Sequence, residues 1–134
     1  MTQQPAAPKT ILVVDDEATI RNFVSTLLSL KAYNVLTAGD GDEALQVSKD
    51  FKDTIDLLIS NIQMPGITGI ELAAKISGQR PDIHVMLMSG FEGGMLVLNE
   101  GWHFLHKPFV PSQLLGIVTT VLAQPPVPGL DEHK

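Results

Sequence analysis

The chain alternates short apolar runs with longer segments in which apolar residues recur every three or four positions. The periodic segments predict helices that bury one apolar face, and the last of these begins near Pro111. The segment 91–98 is weaker, because Gly93 and Gly94 each cost about 1 kcal/mol in helix propensity. We therefore expect a short, irregular fourth helix there. The apolar runs predict buried strands over residues 10–14, 34–38, 56–60, 83–88 and 102–106.

Five strands alternating with five helices predict a doubly wound α/β fold, in which helices cover both faces of one parallel sheet. Right-handed crossovers place the C-terminal ends of all strands along one edge, where ligands bind near the switch in strand order. Four of the predicted strand ends carry polar residues, and we call this set the rim: Asp15 and Asp16, Asn61, Ser89 and Lys107. The rim residues are expected to lie close together.

Composition narrows the classes of function. The 134 residues, 44% of them hydrophobic, suit one domain with a real core. A net charge of -6, spread along the chain, argues against a nucleic-acid-binding surface. The absence of cysteine excludes disulfides, thiolate catalysis and Cys-ligated zinc. The sequence shows neither a signal peptide nor an apolar run that could cross a bilayer, so we expect a cytoplasmic protein without a membrane partner.

The rim residues suit chemistry on a phosphoryl group. The adjacent carboxylates of Asp15 and Asp16 are oxygen ligands of the kind that Mg²⁺ prefers. A carboxylate beside such an ion can attack phosphorus and carry an acyl phosphate, while the ion and Lys107 would neutralise the transferred charge. The hydroxyl of Ser89 would hydrogen-bond a phosphate oxygen. Where the nucleophilic carboxylate should stand, the chain has Asn61.

Four short motifs occur in a characteristic order and spacing: ILVVDDE at 11–17, MPG at 64–66 with Gly69 behind it, MSG at 88–90 and KPF at 107–109. In these motifs the chain resembles a receiver domain of two-component signalling. The short stretch between Ser89 and Lys107 is similar to receivers of hybrid sensor kinases. The resemblance implies a flavodoxin-like (βα)5 sheet of strand order 2-1-3-4-5, with phosphorelay signal transduction as the function. It also implies a histidine kinase or phosphotransfer protein as partner and Mg²⁺ as cofactor.

The resemblance implies a metal site in which Asp16 is a direct Mg²⁺ ligand and Asp15 acts through water. Gln63 matches the position whose backbone carbonyl binds the ion. Asn61 matches the phosphoacceptor aspartate, which is also a metal ligand, and here the match with the family breaks.

The resemblance also implies a switch. Ser89 matches its hydroxyl, and Gly90 matches the small residue that leaves room for phosphate. Lys107 matches the lysine that pairs with phosphate, and its bond to Pro108 is expected to be cis. Phe104 matches a rotating aromatic residue.

The resemblance covers about residues 9–123. We expect a flexible N-terminus at 1–8 and a Pro-rich C-terminal tail at 124–134. With no effector domain in that tail, output is expected to pass through protein contacts, unless the chain is a fragment of a longer hybrid kinase. The methionine near the first strand favours the stand-alone alternative.

The amide of Asn61 is neutral and a poor nucleophile, so we expect no phosphorylation at this residue, weakened Mg²⁺ binding and no enzymatic activity. Lys107 is expected to turn toward Asp15 or Asp16 instead. A natural loss and a deliberate Asp→Asn change both stay open. So does a different class of function, a phosphate-independent pseudo-receiver that acts as a protein-interaction module. A Mg²⁺-dependent phosphatase on this fold is disfavoured, because the rim has no carboxylate nucleophile.

Overall fold

The computed structural model describes residues 8–90 and 101–124, which form five strands and four helices. The strands are Thr10–Val14 (β1), Asn34–Ala38 (β2), Leu57–Asn61 (β3), His84–Ser89 (β4) and His103–His106 (β5). The helices are Ala18–Leu30 (α1), Gly41–Asp50 (α2), Gly69–Gln79 (α3) and Pro111–Leu122 (α4). The short helix predicted over 91–98 lies outside the described residues, as do most of the predicted N-terminal segment and tail. No helix in the described ranges is long and apolar enough to cross a membrane.

All five strands are parallel, and their order is β2-β1-β3-β4-β5. The predicted parallel sheet and strand order are therefore confirmed. The chain moves outward from β1 in one direction to β2 and in the other to β3, so the switch in strand order lies between β1 and β3. Their neighbouring C-terminal ends carry Asp15, Asp16 and Asn61.

The sheet separates two apolar layers, because successive residues of a strand point to opposite faces. Leu12 and Val14 of β1 belong to the layer that packs under α2 and α3. Ile11 and Val13 belong to the layer under α1 and α4. Every residue of β1 is buried, as expected for a strand covered on both faces. The strands thus provide a rigid support for the side chains at their ends.

Strands β3 and β4 end one residue later than predicted, at Asn61 and Ser89. The apolar pattern marks buried positions, whereas the strand continues as long as its backbone pairs with a neighbour. Asn61 pairs with Met88, and Ser89 pairs with His106. Both polar residues are therefore the buried last residues of strands and do not belong to loops.

The helix starts follow from local capping. The Asp40 carboxylate accepts the Glu43 backbone N–H at the start of α2 (2.8 Å). Thr68 and Glu71 form a reciprocal capping box at the start of α3. Pro111 occupies the first turn of α4, as predicted.

Candidate functional site

The rim residues come from four strand ends. Asp15 and Asp16 follow β1, Asn61 ends β3, and Lys107 follows β5. Hydrogen bonds join these four side chains into one cluster. Ser89 ends β4, the strand between β3 and β5, and its backbone carbonyl accepts the Lys107 N–H at 2.8 Å. The expectation that these strand ends converge on one edge is confirmed.

The carboxylate of Asp15 is completely buried, and both of its oxygens have partners. Oδ2 accepts a hydrogen bond from Nζ of Lys107 at 3.0 Å, and Oδ1 accepts the backbone N–H of Glu17 at 2.9 Å. A buried carboxylate without a cation would be strongly destabilising, so this ion pair holds the site together. The prediction that Lys107 turns toward one of the two aspartates is confirmed for Asp15.

The amide of Asn61 uses both of its ends. Oδ1 accepts a hydrogen bond from Nζ of Lys107 at 3.1 Å. Nδ2 donates to Oδ1 of Asp16 at 3.3 Å and to the backbone carbonyl of Gln63 at 2.7 Å. Chemistry dictates this orientation, because an ammonium only donates, whereas a carboxylate and a carbonyl only accept. The amide therefore bonds to residues from the ends of β1, β3 and β5.

The loop after β3 is held close to Asn61. Gly69, the first residue of α3, approaches the backbone so closely that a Cβ atom there would lie 2.2 Å from the carbonyl oxygen of Asn61. Its N–H donates to the carbonyl of Ile62 at 2.8 Å. Gly66 has a φ of 81°, which favours glycine. The glycines of the Met64–Gly69 segment thus have structural reasons to be there.

The remaining predicted positions lie around this cluster. A Cβ atom on the exposed Gly90 would make only an ordinary contact with Cβ of Lys107, at 3.8 Å, so there is open space above the lysine stem. The Lys107–Pro108 bond is cis, as expected. The ring of Phe104 is half-buried and packs against the apolar layer under α2 and α3.

The arrangement does not fit a Mg²⁺ ion as it stands. The ion prefers oxygen ligands, and the Asp16 carboxylate and Gln63 carbonyl supply two. The group of Asn61 that faces these two oxygens is an NH₂, which repels a cation. Asp15 has both oxygens engaged. In the part of the chain that the structure describes, no group of three or more His, Cys, Asp or Glu side chains is arranged to hold a metal.

Sequence patterns missed two supports of the site, the Glu17 N–H and the guanidinium of Arg21, which donates to the backbone carbonyl of Asp15 at 2.6 Å. The position of Arg21 in the first turns of α1 was the available signal.

The structure also places His103 of β5 near His84 of β4. Burial, and to a smaller extent the nearby His84, lowers the pKa of His103 below 6.5.

Residues 11–119 match the family model described as "Response regulator receiver domain". The sensor kinase CckA of Brucella abortus (strain 2308) is 30% identical over 117 residues, which cover 84% of this chain and 12% of that protein. The phosphate regulon transcriptional regulatory protein PhoB of Pseudomonas aeruginosa is 34% identical over 120 residues, covering 85% and 52%. The chain thus spans about half or less of the length of these relatives.

Solved structures show the same likeness. A receiver domain from the hybrid histidine kinase CckA has 40% sequence identity and a TM-score of 0.75, covering 84% of this chain and 98% of that one. A CheY-like response regulator receiver domain protein from Methanospirillum hungatei JF-1 has 27% identity and a TM-score of 0.78, covering 87% and 94%.

The chain belongs to the response regulator receiver domain family. Receiver domains of this family are signalling modules of two-component systems, not enzymes in the ordinary sense, and they generally bind Mg²⁺ at the acidic site. In hybrid kinases and response regulators they pair with histidine kinases or phosphotransfer proteins.

Proposed function

We propose that this chain is a cytoplasmic receiver domain, spanning about residues 9–123, that takes part in two-component signalling without phosphorylation at residue 61. Asn61 stands at the C-terminal end of β3, in the position that the family resemblance gives to the phosphoacceptor aspartate. Its amide is neutral and lacks the anionic oxygen that attacks phosphorus in acyl phosphate formation. The chain therefore contacts a histidine kinase or phosphotransfer protein without accepting its phosphoryl group.

The observation that carries the proposal is the complete set of hydrogen bonds around the amide. Nδ2 donates one hydrogen bond to Asp16 and one to the Gln63 carbonyl, and Oδ1 accepts a hydrogen bond from Lys107. A polar group that is 8% exposed and bonded at both ends is a stable structural element. It is not poised for reaction with an incoming phosphoryl group.

The other rim residues take altered roles under this proposal. Lys107, which would pair with phosphate in the family, neutralises the buried Asp15. Ser89, Gly90 and Phe104 keep the positions of the family's switch, but no phosphoryl group at residue 61 moves them. Mg²⁺ binding is weaker than in relatives, because one carboxylate ligand and its charge are absent.

The test is a phosphodonor assay on the parent chain and on Asn61→Asp. Each protein is incubated with a small acyl phosphate and Mg²⁺, and its intact mass is measured. We expect Asn61→Asp to gain the mass of one phosphoryl group, mapped to residue 61, and the parent to gain none. A phosphoryl group on Asn61 of the parent would overturn the proposal. An unmodified Asn61→Asp would show that the rest of the site is also inactive.

A second candidate function is a phosphate-independent interaction module, favoured because hydrogen bonds connect the side chains of Asp15, Asp16, Asn61 and Lys107 without phosphate. The two candidate functions differ in whether the affinity for the partner depends on phosphorylation at residue 61. The kinase or phosphotransfer protein that phosphorylates Asn61→Asp is the partner to use. Equal affinity of this partner for the parent and for unphosphorylated and phosphorylated Asn61→Asp supports the module. An affinity that changes on phosphorylation of Asn61→Asp supports a switch that is locked in the parent.

A further inference from the structure

We propose that the NH₂ group of Asn61 takes the place of a divalent cation in joining the loop after β1 to the loop after β3. Asp16 belongs to the loop after β1, and Gln63 belongs to the loop after β3. Nδ2 of Asn61 lies between an oxygen of each, at 3.3 Å and 2.7 Å. The inference rests on the proposed function, because it assumes that Asn61 stands at the metal-binding acceptor position.

The amide cannot turn over to offer its oxygen to a cation without a loss. Turning would direct Nδ2 at the ammonium of Lys107, which now donates to Oδ1 at 3.1 Å. Both groups would then be donors with no acceptor between them. Lys107 is itself held by the buried carboxylate of Asp15 at 3.0 Å. A cation that binds here therefore has to break the hydrogen bonds of Nδ2 to Asp16 and to the Gln63 carbonyl. It also removes the acceptor that Oδ1 offers to Lys107.

Charge favours the same arrangement. Lys107 neutralises Asp15, and the remaining carboxylate, Asp16, accepts a hydrogen bond from the amide. Asn61→Asp would remove both N–H donors and add a negative charge that faces Asp16 and the Gln63 carbonyl. Like charges at such short range repel strongly unless a cation lies between them. The substitution thus converts a loop contact that needs no cation into one that depends on a cation.

The consequence is a receiver whose two rim loops keep one arrangement whether Mg²⁺ is present or not. In a site held together by carboxylates and an ion, removal of the ion leaves the carboxylates facing one another without a counter-charge. Here the covalently attached amide cannot dissociate. The surface presented by Asp16 and Gln63, both exposed residues, is therefore independent of the cation concentration.

The experiment is thermal unfolding of the full chain in EDTA and in excess Mg²⁺, together with calorimetric titration of Mg²⁺ into the folded protein. We expect the melting temperature of the parent to be the same in both solutions. Asn61→Asp is expected to melt several degrees lower than the parent in EDTA and to gain stability when Mg²⁺ is added. Its Mg²⁺ affinity should exceed that of the parent at least about tenfold.

Asn61→Ala is the matched control, because it removes the hydrogen bonds of the amide without adding charge. It should be less stable than the parent in both solutions and should not respond to Mg²⁺. Stabilisation of the parent by Mg²⁺ as large as that of Asn61→Asp would overturn the inference, as would an Asn61→Asp variant as stable as the parent in EDTA. A parent that binds Mg²⁺ tightly yet accepts no phosphoryl group would overturn this inference alone and leave the proposed function standing.

Discussion

Nζ of Lys107 lies 3.0 Å from Oδ2 of Asp15, although 92 residues separate the two in the sequence. Lys107 follows β5 and Asp15 follows β1, and strands β4 and β3 lie between them in the sheet. The lysine therefore reaches across two strand ends to neutralise a carboxylate with no exposed surface. The pair connects the end of the edge strand β5 to the end of β1, the strand next to the opposite edge.

Replacement of the lysine by a neutral side chain should destabilise the fold. Among the residues that the structure describes, Lys107→Met leaves the buried carboxylate of Asp15 with the Glu17 N–H as its partner, which we expect to cost about 3 kcal/mol of unfolding free energy. Denaturant unfolding measures the loss. Lys75→Met, on an exposed position of α3, is the control and should change stability little.

Asp15→Asn combined with Lys107→Met removes both charges and should recover part of the loss. A Lys107→Met variant as stable as the parent would contradict the importance of this ion pair.

The close packing of α3 against the end of β3 can be tested with two glycines of the same helix. Gly69→Ala would place its Cβ 2.2 Å from the carbonyl oxygen of Asn61, a backbone atom that cannot move away. We expect a loss of about 2 kcal/mol or more in unfolding free energy. Gly78→Ala is the matched control, because a Cβ there contacts nothing within 4 Å, and it should gain about 0.5–1 kcal/mol. Equal effects of the two substitutions would rule out the close approach.

The unfolding free energy of the chain should decrease as the pH is lowered, because of His103. Its pKa in the folded chain is lowered below 6.5 by burial and by the nearby His84, so the unfolded chain binds a proton more readily. This histidine has no effect well above pH 6.5, and below that pH it progressively favours unfolding. His103→Gln should lose less unfolding free energy than the parent between neutral and mildly acidic pH.

His106→Gln serves as the control, since His106 is an exposed residue of the same strand. Denaturant unfolding over a series of pH values gives the comparison. If the parent and His103→Gln lose stability in parallel as the pH falls, the burial of His103 does not contribute.

The sequence pattern predicted the strands and the convergence of the rim residues, because apolar runs and the geometry of a parallel sheet are enough to predict both. An apolar run such as residues 10–14 predicts a buried strand, and the C-terminal ends of parallel strands lie along the same edge of the sheet. The resemblance supplied the strand order and the cis bond before Pro108. The ends of β3 and β4 were misplaced by one residue, because Asn61 and Ser89 continue the backbone pairing although they are polar.

The hydrogen bonds of the rim could not be predicted in the same way. The orientation of the Asn61 amide depends on its hydrogen bonds to Asp16, Lys107 and the Gln63 carbonyl. No periodic pattern in the sequence predicts these distances. The sequence allowed Lys107 to approach either Asp15 or Asp16. The structure selects Asp15, because its carboxylate is buried while Asp16 is exposed.

The central claim is that neither phosphate nor Mg²⁺ changes the state of this rim. Nuclear magnetic resonance of the ¹⁵N-labelled chain tests it directly, with the side-chain NH₂ of Asn61 and the backbone amides of Gln63 and Ser89 as reporters. Acyl phosphate, with Mg²⁺ at the concentration that just saturates Asn61→Asp, is predicted to leave these resonances of the parent largely unchanged and to shift the two backbone amides of Asn61→Asp. Shifts of Gln63 and Ser89 in the parent as large as those in Asn61→Asp would contradict the account.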